Sequence, residues 1–257
     1  MRPLPASPVW AGVVALVASL VVAGCGPESR QGSASGRTAP IAARRDILGT
    51  GTKLYSLRDE ELIIRDFFQD RRNGFFLDVG CAWPVKENNT FYLEKHLGWS
   101  GIAVDALPEY AQPWRKRPRS RFFNYLVSDH SDTVEPFYRA DLPDVSSYRP
   151  PNNPGGAPAR YEEIHVPTIT LTKLLDGNGV SRIDFMSMDI EGAEPLALAG
   201  FDIARFRPEL ACVEAKGANR AAILAYFNGH GYRRIDRYLE RDQVNYYFTP
   251  VGASPGP

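Results

Sequence analysis

Five short apolar runs, each with an acid at or within two residues of its end, constrain this chain more than any other feature. They are FFLDVG (Phe75 to Gly80), GIAVD (Gly101 to Asp105), FFNYLV (Phe122 to Val127, then Ser128 and Asp129), IDFMSM (Ile183 to Met188, then Asp189) and ELACVE (Glu209 to Glu214). Continuous apolar runs of this length read as strands buried on both faces. Most of the intervals between them carry helical spacing. Asp59 to Phe68 places Leu62, Ile63 and Phe67 on one side with acids in its first turn. Asn89 is expected to cap a helix from Thr90 to Leu97, and Pro108 to open another. Thr170 or Thr172 starts a helix to Leu175, a short helix ends at Gly200, and one covers Arg220 to Asn228. Strands alternating with helices predict a parallel sheet covered on both faces.

The end of the chain departs from that rhythm. Tyr232 to Asp236 and Val244 to Phe248 read as strands with no helix between them, so they are expected to pair as an antiparallel hairpin at the sheet edge. The fold class is therefore α/β and Rossmann-like: a mostly parallel seven-stranded sheet, helices on both faces, and an antiparallel edge hairpin. Thr133 to Tyr138 suggests an added strand, and Ile164 to Ile169 a short extended piece. Residues 141–160, rich in proline, read as a loop over the acceptor side, with Tyr148 and Tyr161 available for stacking or for turn packing.

In open α/β sheets, ligands sit beyond the carboxyl ends of the strands, where strand order reverses. The residues expected there are Asp78, Gly80, Cys81, Asp105, Ser128, Asp129, Asp189, Glu191 and Glu214. Gly80 allows close backbone approach. Asp105 can accept from ribose hydroxyls, and Ser128 or Asp129 can meet an adenine edge. A row of acids repels phosphate and suits a cationic sulfonium, and the G-x-G-x-x-G of dinucleotide binding is absent. No Cys/His metal spacing and no G-x-S-x-G elbow occurs. Glu94, Glu135 and Asp176 read as solvated, and His165 as structural. The formal net charge is zero, which leaves no electrostatic footprint for nucleic acid.

The runs FFLDVGCA, GWSGIAVDA, FFNYLVSD and IDFMSMDIEGAEPLALAGF, followed by RPELACVEA, resemble the FkbM-type methyltransferases in content, order and spacing over roughly residues 55–249. The resemblance implies a class I methyltransferase fold, S-adenosylmethionine as donor, and O-methylation of a small-molecule or sugar hydroxyl. It puts Asp78 and Gly80, with Cys81, in the cofactor loop, Asp105 at the ribose and Asp129 in the adenine region. Asp189 and Glu191 fall at the reaction centre, as base and with a divalent cation as an added option. Two departures stand out: the loop continues Cys81-Ala82-Trp83-Pro84 where the family has Asn and a further Gly, and Ala106 follows Asp105 where it often has Glu-Pro.

Ahead of this domain (residues 53–250) lies VWAGVVALVASLVVAG, Val9 to Gly24, with Arg2 before it and Cys25 after it. A positive start, an apolar run and small residues make a secretory signal, and VAGC resembles a lipoprotein lipobox in which Cys25 carries the lipid. An uncleaved anchor leaving the domain cytoplasmic, or a misassigned start, are the alternatives. Residues 26–52 read as a tether and residues 251–257 as a tail. Cys81 and Cys212, on strands separated by another, are expected to be free thiols, as suits a reducing compartment. The competing function is a non-enzymatic, membrane-tethered envelope module that keeps the fold; a nucleotide-dependent oxidoreductase is disfavoured by the missing glycine pattern. Oligomeric state is not readable.

Overall fold

The structure, a computed structural model, describes residues 44–150 and 160–253; Cys25 and the apolar run before it lie outside the described residues. In chain order the elements are α1 (Ile47–Thr50), α2 (Glu60–Phe68), β1 (Phe75–Val79), α3 (Phe91–Leu97), β2 (Ser100–Asp105), α4 (Ala111–Trp114), β3 (Ser120–Asn124), β4 (Leu126–Val127), β5 (Val134–Ala140) and β6 (Tyr161–Ile169). Then follow α5 (Leu171–Gly177), β7 (Phe185–Met188), α6 (Glu194–Ala199), α7 (Ile203–Phe206), β8 (Leu210–Glu214), α8 (Asn219–Gly229), β9 (Tyr232–Arg234) and β10 (Asn245–Pro250).

The main sheet has the order β3-β2-β1-β7-β8-β10-β9. Its first five strands are parallel, and β10 runs antiparallel to both β8 and β9. This is the mostly parallel seven-stranded sheet with an antiparallel edge that defines the class I methyltransferase arrangement expected above. The chain lays strands outward from β1 to β3 and then returns to the other side of β1 with β7. Strand order therefore reverses between β1 and β7, where Val79 stands opposite Met188. Gly80 and Asp189, one residue on, face each other at the switch point.

Alternate strand residues feed opposite faces. Leu77, Val79, Ile102, Val104, Met186 and Val213 pack with α5 to α8. Phe76, Phe185, Leu210, Cys212 and Tyr247 pack on the other face with α2, α3 and Trp99. A third cluster, including Cys81, Tyr110, Trp114, Leu126, Phe137 and Val166, joins α4 to a small second sheet of order β4-β6-β5. Cys81 and Cys212 are free and buried, as expected.

Several expectations are corrected. FFNYLV is not one strand. β3 ends at Asn124, whose amide donates to the carbonyls of Asp105 and Ala106, and the chain then crosses to the second sheet as β4. Residues 44–52, expected in the tether, are folded: Asp46 caps α1 by accepting from Gly49 N, and Ile47 is buried. Asn89 does not cap α3; Thr90 takes that position and Asn89 donates to Ser187 instead. Glu94 is not solvated but buried against Arg117. Among the described residues, no helix is long and apolar enough to cross a membrane.

Candidate active site

The turn after β1 is held by its neighbours. Gly80 has φ +72° and donates to the carbonyl of Val104. A Cβ there would lie 1.8 Å from the carbonyl oxygen of Asp189. The glycine is thus required by the adjoining strand end, and not only by a ligand, as the sequence alone suggested. Beyond it the loop doubles back to α3, and Asp78 explains how. Its carboxylate is buried and accepts from Thr90 Oγ1 at 2.7 Å and Asn88 Nδ2 at 3.2 Å. Behind them sits Arg117, wholly buried, donating to Glu94 at 2.8 Å, Asn88 Oδ1 at 3.0 Å and the carbonyl of Pro84 at 3.1 Å, with its guanidinium 4.5 Å from the Trp114 ring centre. Burial raises the Asp78 pKa, while Thr90, Arg117 and Asn88 pull it back. Asp78 therefore shapes the loop from beneath.

Asp105, at the end of β2, has one oxygen on Leu107 N at 2.9 Å and the other on Ala82 N at 3.0 Å. The two amides orient the carboxylate, and each oxygen keeps a second lone pair. Burial still pushes the group up to about 6. Trp114 Nε1 donates to the carbonyl of Ala82 and fixes the same loop from the other side. Cys81, between them, packs among Tyr110 and Trp114, and burial holds its thiol well above the ordinary range. The thiol is a core group.

After β7 the chain turns through Asp189-Ile190-Glu191-Gly192, with Glu191 at φ +50°. Glu194 fixes this turn by accepting from Ile190 N and Gly192 N, both at 3.2 Å, and from Asn219 Nδ2 at 3.0 Å. Asp189 points outward and shares a side-chain hydrogen bond with buried Glu214. Lys216 is ion-paired to Glu214 and lies 3.8 Å from Glu191. Surrounding protein, then the charge of Glu191, raises Asp189 to about 6; burial, then Asp189, raises Glu214 to about 7; Lys216 opposes both. Oxygens of Asp189, Glu194 and Glu214 lie within 4.8 Å of one another. Lys216 brings a positive charge to this cluster through Glu214 and Glu191, beside the acids considered above for a divalent cation.

Two hollows meet here. A slot of about 570 Å³ runs between the β2 end and the second sheet, with Asp105, Leu107, Val127, Phe137 and Tyr148 among its walls. A polar groove of about 1010 Å³ passes Trp83, Asn88, Ser187, Glu214 and Lys216. Gly80, Ala82, Asp189 and Glu191 line both. The expected Asp78, Gly80, Cys81, Asp105, Asp189 and Glu191 are thus brought together; Asp78 and Cys81 border the polar groove with largely buried side chains. Ser128 and Asp129 line neither hollow. Ser128 is buried beneath, and Asp129 is at the surface, 2.6 Å from His130 Nδ1, because the chain leaves the main sheet at Tyr125. Tyr148 lines the slot from the 141–150 segment, but Tyr161 lies edge-on against Tyr138 away from it.

Lys216, Arg117, Asn88 and Glu194 are missing from the sequence-based site. Lys216 had a signal, standing two residues beyond the acid of the fifth apolar run. Arg117 had none, being one cation in a basic stretch.

The chain is similar, at low identity, to a number of solved structures, among them the following. The first is a precorrin-6y C5,15-methyltransferase from Geobacter metallireducens GS-15 (9% identity, 68% of this chain and 71% of that one, TM-score 0.40). The second is a precorrin 8w decarboxylase from Methanobacterium thermoautotrophicum (12%, 78% and 93%, TM-score 0.41). The third is a fibrillarin pre-rRNA processing protein from Methanococcus jannaschii (10%, 72% and 69%, TM-score 0.39). No curated protein matches. The methyltransferase FkbM domain model matches residues 78–234, from the buried Asp78 through to the end of β9. That span takes in both strand ends at the switch point and every acid gathered around it, and with it the chain belongs to the FkbM methyltransferase family.

Proposed function

We propose that this methyltransferase uses S-adenosylmethionine and methylates a hydroxyl of a small molecule or glycan. The observation that carries the reading is that Asp189 and Glu191 line both hollows, at the passage from an apolar slot to a polar groove. The residues present fit the donor. Asp105 offers oriented lone pairs to ribose hydroxyls. Leu107, Val127 and Phe137 make an apolar wall for a flat base. The acids at the junction favour a positive charge over a phosphate.

When bound, S-adenosylmethionine supplies an electrophilic methyl group on a positively charged sulfur. The protein's part is alignment and proton removal. Asp189 accepts the hydroxyl proton of an acceptor held in the groove, since it is the more exposed of the two junction acids. Glu214 and Lys216 set its charge: the hydrogen bond to Glu214 and the nearby ammonium keep a carboxylate available near neutral pH. Glu191, in a turn fixed by Glu194, faces both hollows and positions the acceptor. A divalent cation at these acids would have to compete with Lys216. At the N-terminus, the VAGC sequence supports a membrane-targeting segment with Cys25 as the lipid-bearing residue.

Isothermal titration of the full chain in detergent with S-adenosylmethionine tests the donor assignment. Saturable binding is expected, weakened about tenfold or more in Asp105→Ala, as loss of a hydrogen bond to a charged group implies. Absence of binding to the intact chain would return the reading of a non-enzymatic module.

A further inference from the structure

The formal net charge of zero conceals a polarised molecule. Acids gather at the carboxyl edge of the main sheet. At the opposite edge, the segments leading into β1, β2 and β3 carry cations. Arg72 precedes β1, Lys95 sits in the last turn of α3 before β2, and the run RKRPRSR (Arg115 to Arg121) leads into β3 with five cations in seven residues. Backbone bonds from Asn73 N to the Leu97 carbonyl and from Gly101 N to the Arg119 carbonyl tie the three segments into one surface. Arg117 turns inward to the Asp78 network. The other six cations, Arg72, Lys95, Arg115, Lys116, Arg119 and Arg121, are all exposed. None of the six is ion-paired to a carboxylate among the described residues, whereas the neighbouring Arg71, Arg182 and Arg205 are.

We propose that this basic edge docks the domain on an anionic phospholipid surface, with the methyl-transfer site turned away from the bilayer. The inference rests on the membrane-targeting reading of the N-terminal segment. The described chain starts at this same edge, where Arg44 donates to the carbonyl of Asp66 and Arg45 N to Gln69, beside the C-terminal end of α2. The 18 residues between Cys25 and Arg44 span up to about 60 Å when extended. A lipid at Cys25 would restrain such a domain without orienting it, and six exposed cations with no carboxylate partner among the described residues, at the edge where it is tethered, supply the orientation. Headgroup phosphates suit this edge better than single-stranded nucleic acid, because both indoles of these segments, Trp99 and Trp114, are fully buried and Phe122 is half-buried, which leaves little stacking face for bases. Each cation near an anionic membrane strengthens binding severalfold, and salt screens the effect.

The test uses the full chain and its R115Q/K116Q/R119Q/R121Q variant on vesicles of phosphatidylcholine alone or with added phosphatidylglycerol. Two quantities are read: the vesicle-bound fraction, and the rate of tryptic cleavage at Arg72 and Lys95, which both proteins keep. Phosphatidylglycerol is expected to raise wild-type binding about tenfold or more at low salt and to slow cleavage at those sites. Half a molar salt or the four substitutions should remove both effects, with S-adenosylmethionine titration unchanged. Wild-type cleavage that is equally fast on both vesicle types would overturn the proposal, as would a variant that keeps full phosphatidylglycerol dependence. A single-stranded RNA that protects the same sites where phosphatidylglycerol does not would reassign the edge to nucleic acid. Failure to bind phosphatidylcholine vesicles speaks only against the N-terminal anchor, and failure to bind S-adenosylmethionine only against the donor assignment.

Discussion

Asp78 and Asp189 stand one residue either side of matched strand ends at the same switch point, yet their surroundings give them opposite work. Asp78 is sealed in. Thr90, Asn88 and Arg117 form a closed network around it, and it holds the loop after β1 in shape. Asp189 reaches outward, shares a hydrogen bond with Glu214, and is raised toward neutrality by its neighbours. A carboxylate whose partners are all supplied by the fold is a structural part. One crowded by other acids and only partly relieved by a lysine remains available for a proton.

The largest effect should come from breaking the closed side. Arg117→Met leaves Glu94 and Asp78 buried without their cation, and removing one partner of a buried pair costs about 3–5 kcal/mol. Urea unfolding should show that loss; a loss below about 1 kcal/mol would mean the network is not what stabilises the loop. On the open side, Asp189→Asn should leave the unfolding midpoint at neutral pH unchanged or raised, since its surroundings disfavour the ionised carboxylate, while turnover falls about a hundredfold or more, the usual scale for a lost general base. An Asp189→Asn protein with full turnover would move the proton acceptor elsewhere.

A pH series sharpens the same contrast. The folded pKa values of Asp189 and Glu214, about 6 and about 7, lie above the ordinary values of 3.8 and 4.5. Between pH 4 and 7 the native state then holds more protons than the unfolded chain, so these two groups make stability fall as pH rises through that window. Activity should rise through the same window as the base loses its proton. Thermal unfolding and initial rates, measured side by side, should therefore slope in opposite directions, and Asp189→Asn/Glu214→Gln should flatten the stability slope. The smallest effect is expected at Asn219→Ala. It removes one donor from both the Gly192 carbonyl and Glu194, at a cost of about 1 kcal/mol by thermal unfolding.

The strand ends were legible because burial and alternation are local. Leu77, Ile102 and Met186 announce buried strands wherever they pair, and the acid after each run marks the carboxyl edge. What escaped was non-local. FFNYLV is a continuous run broken only by Asn124, and nothing local tells that this residue closes one sheet and Leu126 opens another, which carries Ser128 and Asp129 away from the two hollows. Glu94 looked solvated because its partner Arg117 is 23 residues away. Lys216 is brought among the acids only by the fold, which sets its ammonium against Glu214 and Glu191.

The contact between Gly80 and the Asp189 carbonyl has a mechanical consequence. With 1.8 Å separating that oxygen from where a methyl would sit, no side chain fits between the turns after β1 and β7, and any residue but glycine at position 80 would push them apart. Both hollows therefore share a margin of close-packed backbone there, while the other wall of the slot is supplied by Pro143, Ser146 and Tyr148, from an excursion outside the main sheet.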